Sequence, residues 1–340
     1  MGKIIIGVHG LGNKPPKDLL ESWWKQSIEE GLIRIGYTHR KFDFELVYWA
    51  DTLNAVPLNP DETDKDNKLY ISERYVPAPE RRRNKPKGFK ERSINIFKRY
   101  RDKILFHESM HENFPSFTDL IIKHFFKDLS IYLTEKYANA EEANPDSLVK
   151  DEIRLKLINI LKKYKGDDIL LITHSMGSII SYDVLIHSEK DVTIDSLITM
   201  GSPLGIPFMI DRLKNEFSTV PGDEKRLRTP ENILSEWINL ADPADKLAQK
   251  AGMRKIFKMN SREIAPEIKL IFNDYESEGI ENPHKSFGYL RTPELAHIVN
   301  EFLNRGRNKF VIWLSKIFHR FIFWLKQKYD QIKSGFVKLK

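Results

Sequence analysis

A serine between two apolar stretches is the residue of this chain best suited to chemistry. Residues 169–181 read I-L-L-I-T-H-S-M-G-S-I-I-S, so an apolar strand runs into Ser175 and a helix follows. In such a turn the backbone is strained, and the hydroxyl projects above the sheet edge. Gly177 is the small residue needed on the helix side, whereas Thr173 stands where the G-x-S-x-G motif has its first glycine. The pattern predicts that Ser175 is a nucleophile, although a lone serine in such a turn is more commonly a helix N-cap.

A serine nucleophile needs a base to take its proton and an acid to orient that base. His284 lies in the loop after the apolar run 268–272, and it is the predicted base. Two aspartates, Asp242 and Asp245, lie in the turn that ends the preceding apolar run. Asp245 is the predicted acid because it begins a D-x-aliphatic pattern. Asp242 is the alternative acid, and its other role would be to initiate the turn before Pro243.

The chain order Ser, Asp, His resembles that of the α/β-hydrolase superfamily, in particular its lipase- and esterase-like serine hydrolases. The resemblance covers most of residues 1–304. It implies an α/β-hydrolase fold with a mostly parallel sheet of about six strands and flanking helices. It also implies ester hydrolysis through a catalytic triad and an acyl-enzyme, with no cofactor and no metal. The segments that carry the resemblance are V-H-G-L-G at 8–12, T-H-S-M-G at 173–177, G-S-P-L-G at 201–205, and the loops that hold Asp245 and His284.

The same resemblance assigns an oxyanion hole made of backbone amides. Its two donors are the N–H groups of Leu11, after the first strand, and of Met176, after the nucleophile. His9 is expected to be structural. His174 and His297 are weaker candidates for the base, because one is held inside the serine turn and the other lies in a helical pattern.

A long insertion separates the second strand of the chain from the strand that leads to the serine. Residues 51–145 are predicted to be an inserted helical, lid-like region within the 1–304 domain. Within it, residues 54–92 are rich in Pro, Asp, Lys and Arg and are expected to form an exposed, mobile excursion. Helical periodicity predicts helices at 93–106 and 117–137. These helices either cap the active site or pack as ordinary core.

The C-terminal tail, residues 305–340, is basic and amphipathic. It holds ten Lys or Arg and one acid, a charge of +9; since the whole chain carries +7, the remainder carries −2. Nucleic-acid binding by the body is therefore not expected. Polar side chains on one stripe of 310–325 favour a helix that lies in an anionic membrane surface over one that spans the bilayer. A tail that binds membranes favours a lipid or another hydrophobic ester as substrate. The alternative for the tail is a helix that docks on the body of the protein or in a dimer interface.

The remaining features bound the class of protein. With 41% hydrophobic residues the chain can build a sizeable core, and the absence of cysteine excludes disulfides and thiol catalysis. No signal peptide is recognised, so the expected location is cytoplasmic, with peripheral attachment to the inner face of the membrane.

Other functions remain open beside ester hydrolysis. Thioesters and amides are alternative substrates for the same site. His107-Glu108-x-x-His111 matches the H-E-x-x-H pattern of zinc peptidases, which ranks lower because Pro115 would break the helix soon after it. The alternative from another class is a non-catalytic hydrolase-fold module recruited to membranes.

Overall fold

Strands and helices alternate through the part of the chain that the computed structural model describes, which is residues 2–37, 41–78, 129, 132, 149–188, 191–216, 226–248 and 252–306. The strands are β1 (Lys3–Val8), β2 (Asp43–Val47), β3 (Asp168–His174), β4 (Ile194–Met200), β5 (Leu227–Arg228), β6 (Ile233–Ala241), β7 (Phe257–Lys258), β8 (Glu267–Leu270), β9 (Glu276–Ser277) and β10 (Ile280–Glu281). The helices are α1 (Lys17–Arg34), α2 (Ala50–Leu53), α3 (Val149–Lys163), α4 (Met176–His187), α5 (Pro207–Glu216), α6 (Met253–Ile256), α7 (Ser286–Leu290) and α8 (Pro293–Asn304).

A six-stranded sheet forms the centre of the molecule, with the strand order β2-β1-β3-β4-β6-β8. Every neighbouring pair in this sheet is parallel. The expectation of an α/β architecture with a mostly parallel sheet of about six strands is therefore confirmed. Because all six strands run in one direction, their carboxyl ends meet at a single edge. Ser175 follows β3 at this edge, and the turn that begins with Asp242 follows β6.

Apolar cores cover both faces of the sheet, because successive side chains of a strand point to opposite faces. Ile4, Ile6 and Val8 of β1 pack in one core with buried residues of α3 and α4. Ile5 of the same strand packs in the other core, with buried residues of α1, α7 and α8. The central strands are accordingly buried almost throughout, which is typical of a parallel sheet between two helical layers.

The described part of the insertion is only partly as exposed as its composition predicts. Residues 55–68 are mostly exposed, as expected for a polar and proline-rich stretch. Residues 69–78, in contrast, are mainly half-buried, and Ile71 is buried. This second part binds the loop that carries His284 through the ion pair between Glu73 and Lys285, and Tyr75 packs its ring edge-on against Phe287 just beyond that loop.

Several sequence predictions lie wholly or partly outside the described residues. They include the H-E-x-x-H segment, the predicted helix 93–106 and almost all of the basic tail. Within the predicted helix 117–137, Leu129 and Tyr132 are described, and both are helical and buried in the core beside α3 and α4. Among the described residues, no helix combines the length and the apolar character required to cross a bilayer.

Candidate active site

Ser175 occupies the turn between β3 and α4 in a backbone conformation that L-residues rarely adopt. Its φ is 52° and its ψ is −122°. Its hydroxyl makes no capping hydrogen bond to the helix, so the N-cap role that a turn serine usually has is not the role seen here. Strain of this kind persists only where the surroundings enforce it, and it is common at functional sites.

The neighbours of Ser175 explain why the turn tolerates one departure from the motif. A Cβ on Gly177 would lie 2.6 Å from the carbonyl oxygens of Val8 and His9, so only glycine fits there. Thr173, in contrast, is buried within β3, and its hydroxyl donates to the carbonyl of Ile198 on the adjacent strand over 3.2 Å. Its side chain therefore has a place in the sheet, and a glycine is not required at this position.

The three predicted triad side chains lie in one hydrogen-bonded series. The distance from Ser175 Oγ to His284 Nε2 is 3.0 Å, and that from His284 Nδ1 to Asp245 Oδ2 is 2.9 Å. The Asp245 side chain is fully buried, whereas 11% of the His284 side chain is exposed. An imidazole placed in this way can accept the serine proton at one nitrogen while a carboxylate holds the other nitrogen.

Asp245 and Asp242 differ in what their carboxylates contact. Oδ1 of Asp245 accepts from the amide of Leu247 over 2.9 Å, and its Oδ2 faces the imidazole of His284. The carboxylate of Asp242 accepts from the amides of Ala244 over 2.7 Å and Asn273 over 2.6 Å. Asp242 therefore braces the two loops, and Asp245 is the aspartate that contacts the imidazole.

Two asparagine side chains hold the loop of His284 by binding its backbone at the histidine and on both sides of it. Asn273 Nδ2 donates to the carbonyls of Pro283 and Lys285, each over 2.9 Å. The amide of His284 donates to Asn282 Oδ1 over 2.9 Å. The base is thus fixed through its backbone as well as through its ring.

The side chain of His174 binds the backbone carbonyl of His284. Its Nε2 donates to the carbonyl of His284 over 2.7 Å, and the two rings lie 4.9 Å apart. Burial, followed by the nearby charge of His284, lowers the pKa of His174 well below its usual value, so it stays neutral. His174 is therefore a support for the base and not the base itself, and no local pattern in the sequence predicts this contact.

The loop after β1 passes directly beside the serine. A Cβ on Gly10 would lie 3.0 Å from the Cβ of Ser175. Lys14 Nζ donates to the carbonyls of Leu11 and Gly12, the latter over 3.0 Å, and so constrains this loop. On the other side of Ser175, Met176 is the first residue of α4, where a helix leaves its amides without intrahelical partners.

His9 is structural, as expected. Its Nδ1 donates to the carbonyl of Gly10 over 2.8 Å, and its Nε2 accepts from the amide of Trp49 over 3.1 Å. Burial, aided by the charge of Lys14, lowers the pKa of His9 well below its usual value. The neutral ring stacks on the Trp49 indole, with ring centroids 4.8 Å apart, and joins β1 to the end of β2.

In the described ranges of the chain, no group of three or more His, Asp or Glu side chains is arranged to hold a metal ion. The H-E-x-x-H segment lies outside these ranges, and its zinc interpretation therefore stays a prediction.

Comparison with known proteins adds little to this geometry. No protein-family model and no curated protein matches the chain. Among solved structures, the chain is similar to a 2.75 Å crystal structure of an uncharacterized protein from Bacillus cereus ATCC 10987, with 12% sequence identity and a TM-score of 0.36. The similarity covers 91% of this chain and 60% of that chain. A likeness of this degree carries no argument about function.

Proposed function

We propose that this protein is a serine hydrolase that cleaves carboxylic esters, with Ser175 as nucleophile, His284 as base and Asp245 as acid. The observation that carries the proposal is the unbroken series of hydrogen bonds from Ser175 Oγ through both ring nitrogens of His284 to Asp245. The strained backbone of Ser175 supports it, because a merely structural serine has no need of this conformation.

The reaction proceeds in two halves. Ser175 Oγ attacks the acyl carbon while His284 Nε2 takes its proton, and His284 then protonates the leaving alcohol as the tetrahedral intermediate collapses. In the second half water attacks the acyl carbon while His284 takes its proton. The bond between the acyl carbon and Ser175 Oγ then breaks, His284 returns the proton to Oγ, and the carboxylic acid leaves. Asp245 keeps the imidazole oriented and stabilises its charged form throughout.

The developing oxyanion is held by the amides of Leu11 and Met176. The close approach of Gly10 to Ser175 supports the first assignment, because it brings the loop after β1 beside the nucleophile. The position of Met176 at the start of α4 supports the second. Loss of one such donor typically costs about 2.7–4 kcal/mol of transition-state stabilisation.

The fold that fits these features is the α/β-hydrolase fold. The nucleophile follows β3, the acid follows β6 and the base follows β8, all at the carboxyl edge of one parallel sheet. The substrate class that we propose is a lipid or other hydrophobic ester, because the basic amphipathic tail would bring the enzyme to a membrane surface. Thioesters and amides are the alternative substrates.

Covalent labelling with a fluorophosphonate tests the proposal. We expect the wild-type protein to label and Ser175→Ala to show no labelling above background. Asp245→Asn should lower the labelling rate about 10⁴-fold, the loss typical of a triad aspartate. The matched variant Asp242→Asn should lower it much less, because the Asp242 carboxylate contacts backbone amides, whereas the imidazole contacts Asp245.

Two results would contradict this assignment. One is labelling of Ser175→Ala at the wild-type rate, and the other is a larger loss in Asp242→Asn than in Asp245→Asn. Hydrolysis of acyl esters of increasing chain length, beside the matching thioesters, then assigns the substrate class. Metal analysis of the same preparation tests the zinc peptidase alternative at His107-Glu108-x-x-His111.

A further inference from the structure

The phenol of Tyr289 joins the two aspartates of the acid turn. Tyr289 lies in α7, shortly after the base, and is fully buried. Its hydroxyl accepts from the amide of Asp242 over 3.0 Å and donates to Oδ2 of Asp245 over 2.8 Å. One oxygen atom thus connects α7 to the turn after β6.

The carboxylate oxygen that Tyr289 contacts is the one that faces the imidazole. Oδ2 of Asp245 accepts from His284 Nδ1 over 2.9 Å as well as from the phenol. The other oxygen, Oδ1, accepts from the amide of Leu247. These three donors together fix the plane of the carboxylate, and a hydrogen bond to Oδ2 offsets part of the negative charge on that oxygen.

The direction of the phenol hydrogen bond follows from its surroundings. Burial, followed by the charges of Asp245 and Asp242, raises the pKa of Tyr289 well above its usual value, so the hydroxyl keeps its proton. Since the amide of Asp242 is a donor, the phenol proton is directed at the carboxylate of Asp245.

We propose that Tyr289 is a positioning residue of the active site, which holds the Asp245 carboxylate toward His284 and reduces the negative charge that the imidazole experiences. This inference rests on the proposed serine hydrolase. Its consequence is that removal of the phenol hydroxyl should change the pH dependence of the reaction and lower the fraction of time for which the triad is aligned.

Other titratable groups act on the same pair and stay in place when Tyr289 changes. The neutral ring of His174 lies beside His284. Burial would raise the pKa of Glu73, but Lys285, the hydrogen bond from Asn282 and, last, the charge of His284 lower it, so the Glu73 carboxylate also acts on the base. Asp242 faces the phenol from the acid turn, and Lys285 follows the base. A change in pH response on removal of the phenol hydroxyl therefore reports on Tyr289 itself.

The test measures the fluorophosphonate labelling rate from pH 5.5 to 9.5 in the full-length protein. In Tyr289→Phe the carboxylate has one donor fewer and attracts the protonated imidazole more strongly. We expect the pH of half-maximal rate to rise by about 0.5–1 unit, and the plateau rate to fall about 3- to 10-fold. The control is Tyr182→Phe, which removes the hydroxyl of another buried tyrosine, one that donates to the carbonyl of Arg228 away from the triad.

A second replacement separates positioning from folding. Tyr289→3,5-difluorotyrosine keeps the size and the hydroxyl but makes it a stronger donor, so the half-maximal pH should move downward instead. Opposite shifts in the two variants would not arise from loss of stability. If neither variant moves the midpoint beyond what Tyr182→Phe shows, the proposed role of Tyr289 is wrong.

A readout independent of catalysis distinguishes failure of this inference from failure of the proposed function. Histidine NMR titration of the same variants, with the His284 signal assigned from its absence in His284→Gln, follows the base even if no labelling occurs. A wild-type protein that does not label contradicts the hydrolase. An NMR midpoint for His284 that is the same in wild type and in both Tyr289 variants contradicts the positioning role.

Discussion

At the scale of single residues, Gly201 lets the main chain after β4 approach the histidine–aspartate pair. Its φ is 55°, and a Cβ there would lie 2.9 Å from Asp245 Oδ2 and 3.1 Å from His284 Nδ1. A side chain would therefore have to displace the two groups whose hydrogen bond the proposed mechanism needs. The glycine is required for a reason of space, in addition to its permissive backbone.

Gly201→Ala should reduce the labelling rate by at least about tenfold, because a shift of a few tenths of an ångström misaligns the base. It should also lower the free energy of unfolding by about 1–2 kcal/mol through backbone strain. Gly36→Ala is the matched control, because Gly36 has φ 91° and nothing within 4 Å of an added Cβ. The control should lose stability and keep its labelling rate. Equal labelling rates in the two variants would contradict this account.

The residues that bear the chemistry are easier to predict from sequence than the residues that support them. Ser175, Asp245 and His284 each follow an apolar run, and chain order alone suggests their roles. The contacts of Tyr289 and His174 are not visible in any local pattern, since each depends on loops that meet only in the folded sheet. Asn273 directly follows the apolar run 268–272 that precedes the base, and this position is the one signal for it in the sequence.

At the scale of elements, the loop after β8 is held by residues 69–78, which belong to the stretch 54–92 that its composition predicts to be exposed. Glu73 Oε2 lies 2.9 Å from Lys285 Nζ, next to the base. The hydroxyl of Tyr275 donates to the carbonyl of Arg74 over 2.6 Å. The guanidinium of Arg291 donates to another carbonyl of this segment. A composition rich in charge and proline predicts exposure. In the folded protein, however, the charge of Glu73 is paired with Lys285, and carbonyls of the segment accept hydrogen bonds from Tyr275 and Arg291.

Helices α3 and α4 are joined by a buried ion cluster around Asp183, on the helix that begins at the nucleophile. Arg154 binds this carboxylate through Nε at 2.9 Å and through a terminal nitrogen at 2.7 Å, and His187 Nδ1 lies 2.8 Å from it. Burial alone would raise the pKa of Asp183, but the hydrogen bonds from His187 and Arg154 outweigh it and lower the value. The hydrogen bond with Asp183 raises the pKa of His187.

These opposite shifts make the stability of the α3–α4 pair depend on pH. A raised pKa means that His187 stabilises the fold fully below its unfolded value, about 6.5, and loses this effect as pH rises through the folded value. Asp183 contributes above its unfolded value, about 3.9, and loses its effect as pH falls through the folded value. His187→Ala should therefore lower the free energy of unfolding more at pH 5.5 than at pH 8.5.

Urea unfolding of the wild type and the variant at both pH values measures this difference. His297→Ala is the control, because His297 is an exposed histidine on α8. The control should show no comparable dependence on pH. An effect of His187→Ala that is equal at pH 5.5 and pH 8.5 would show that the ion pair with Asp183 is not formed in solution.

At the scale of the whole molecule, the apolar runs predict the parallel sheet because its strands are buried on both faces. β1 and β3 are examples, since nearly every residue of each is buried. A sequence-based assignment is weaker for β8, whose residues alternate between exposed and half-buried at the edge of the sheet. The polar contacts of residues 69–78 are the least predictable part, because pairing of distant charges leaves no periodic trace.

The separation of charge between body and tail carries the last prediction. Residues 305–340 carry a charge of +9 and several aromatic side chains, so this tail should bind anionic bilayers. Each basic residue near the surface should contribute about 1 kcal/mol to the binding free energy, and salt should weaken the binding. Co-sedimentation with vesicles of phosphatidylserine and phosphatidylcholine, against vesicles of phosphatidylcholine alone, measures it for the full-length chain. The comparison chain should end at Gly306, because Arg305 forms an ion pair with Asp195 on the body. The shorter chain should remain in the supernatant and keep its fluorophosphonate labelling rate, whereas equal binding of the two chains would contradict membrane attachment through the tail.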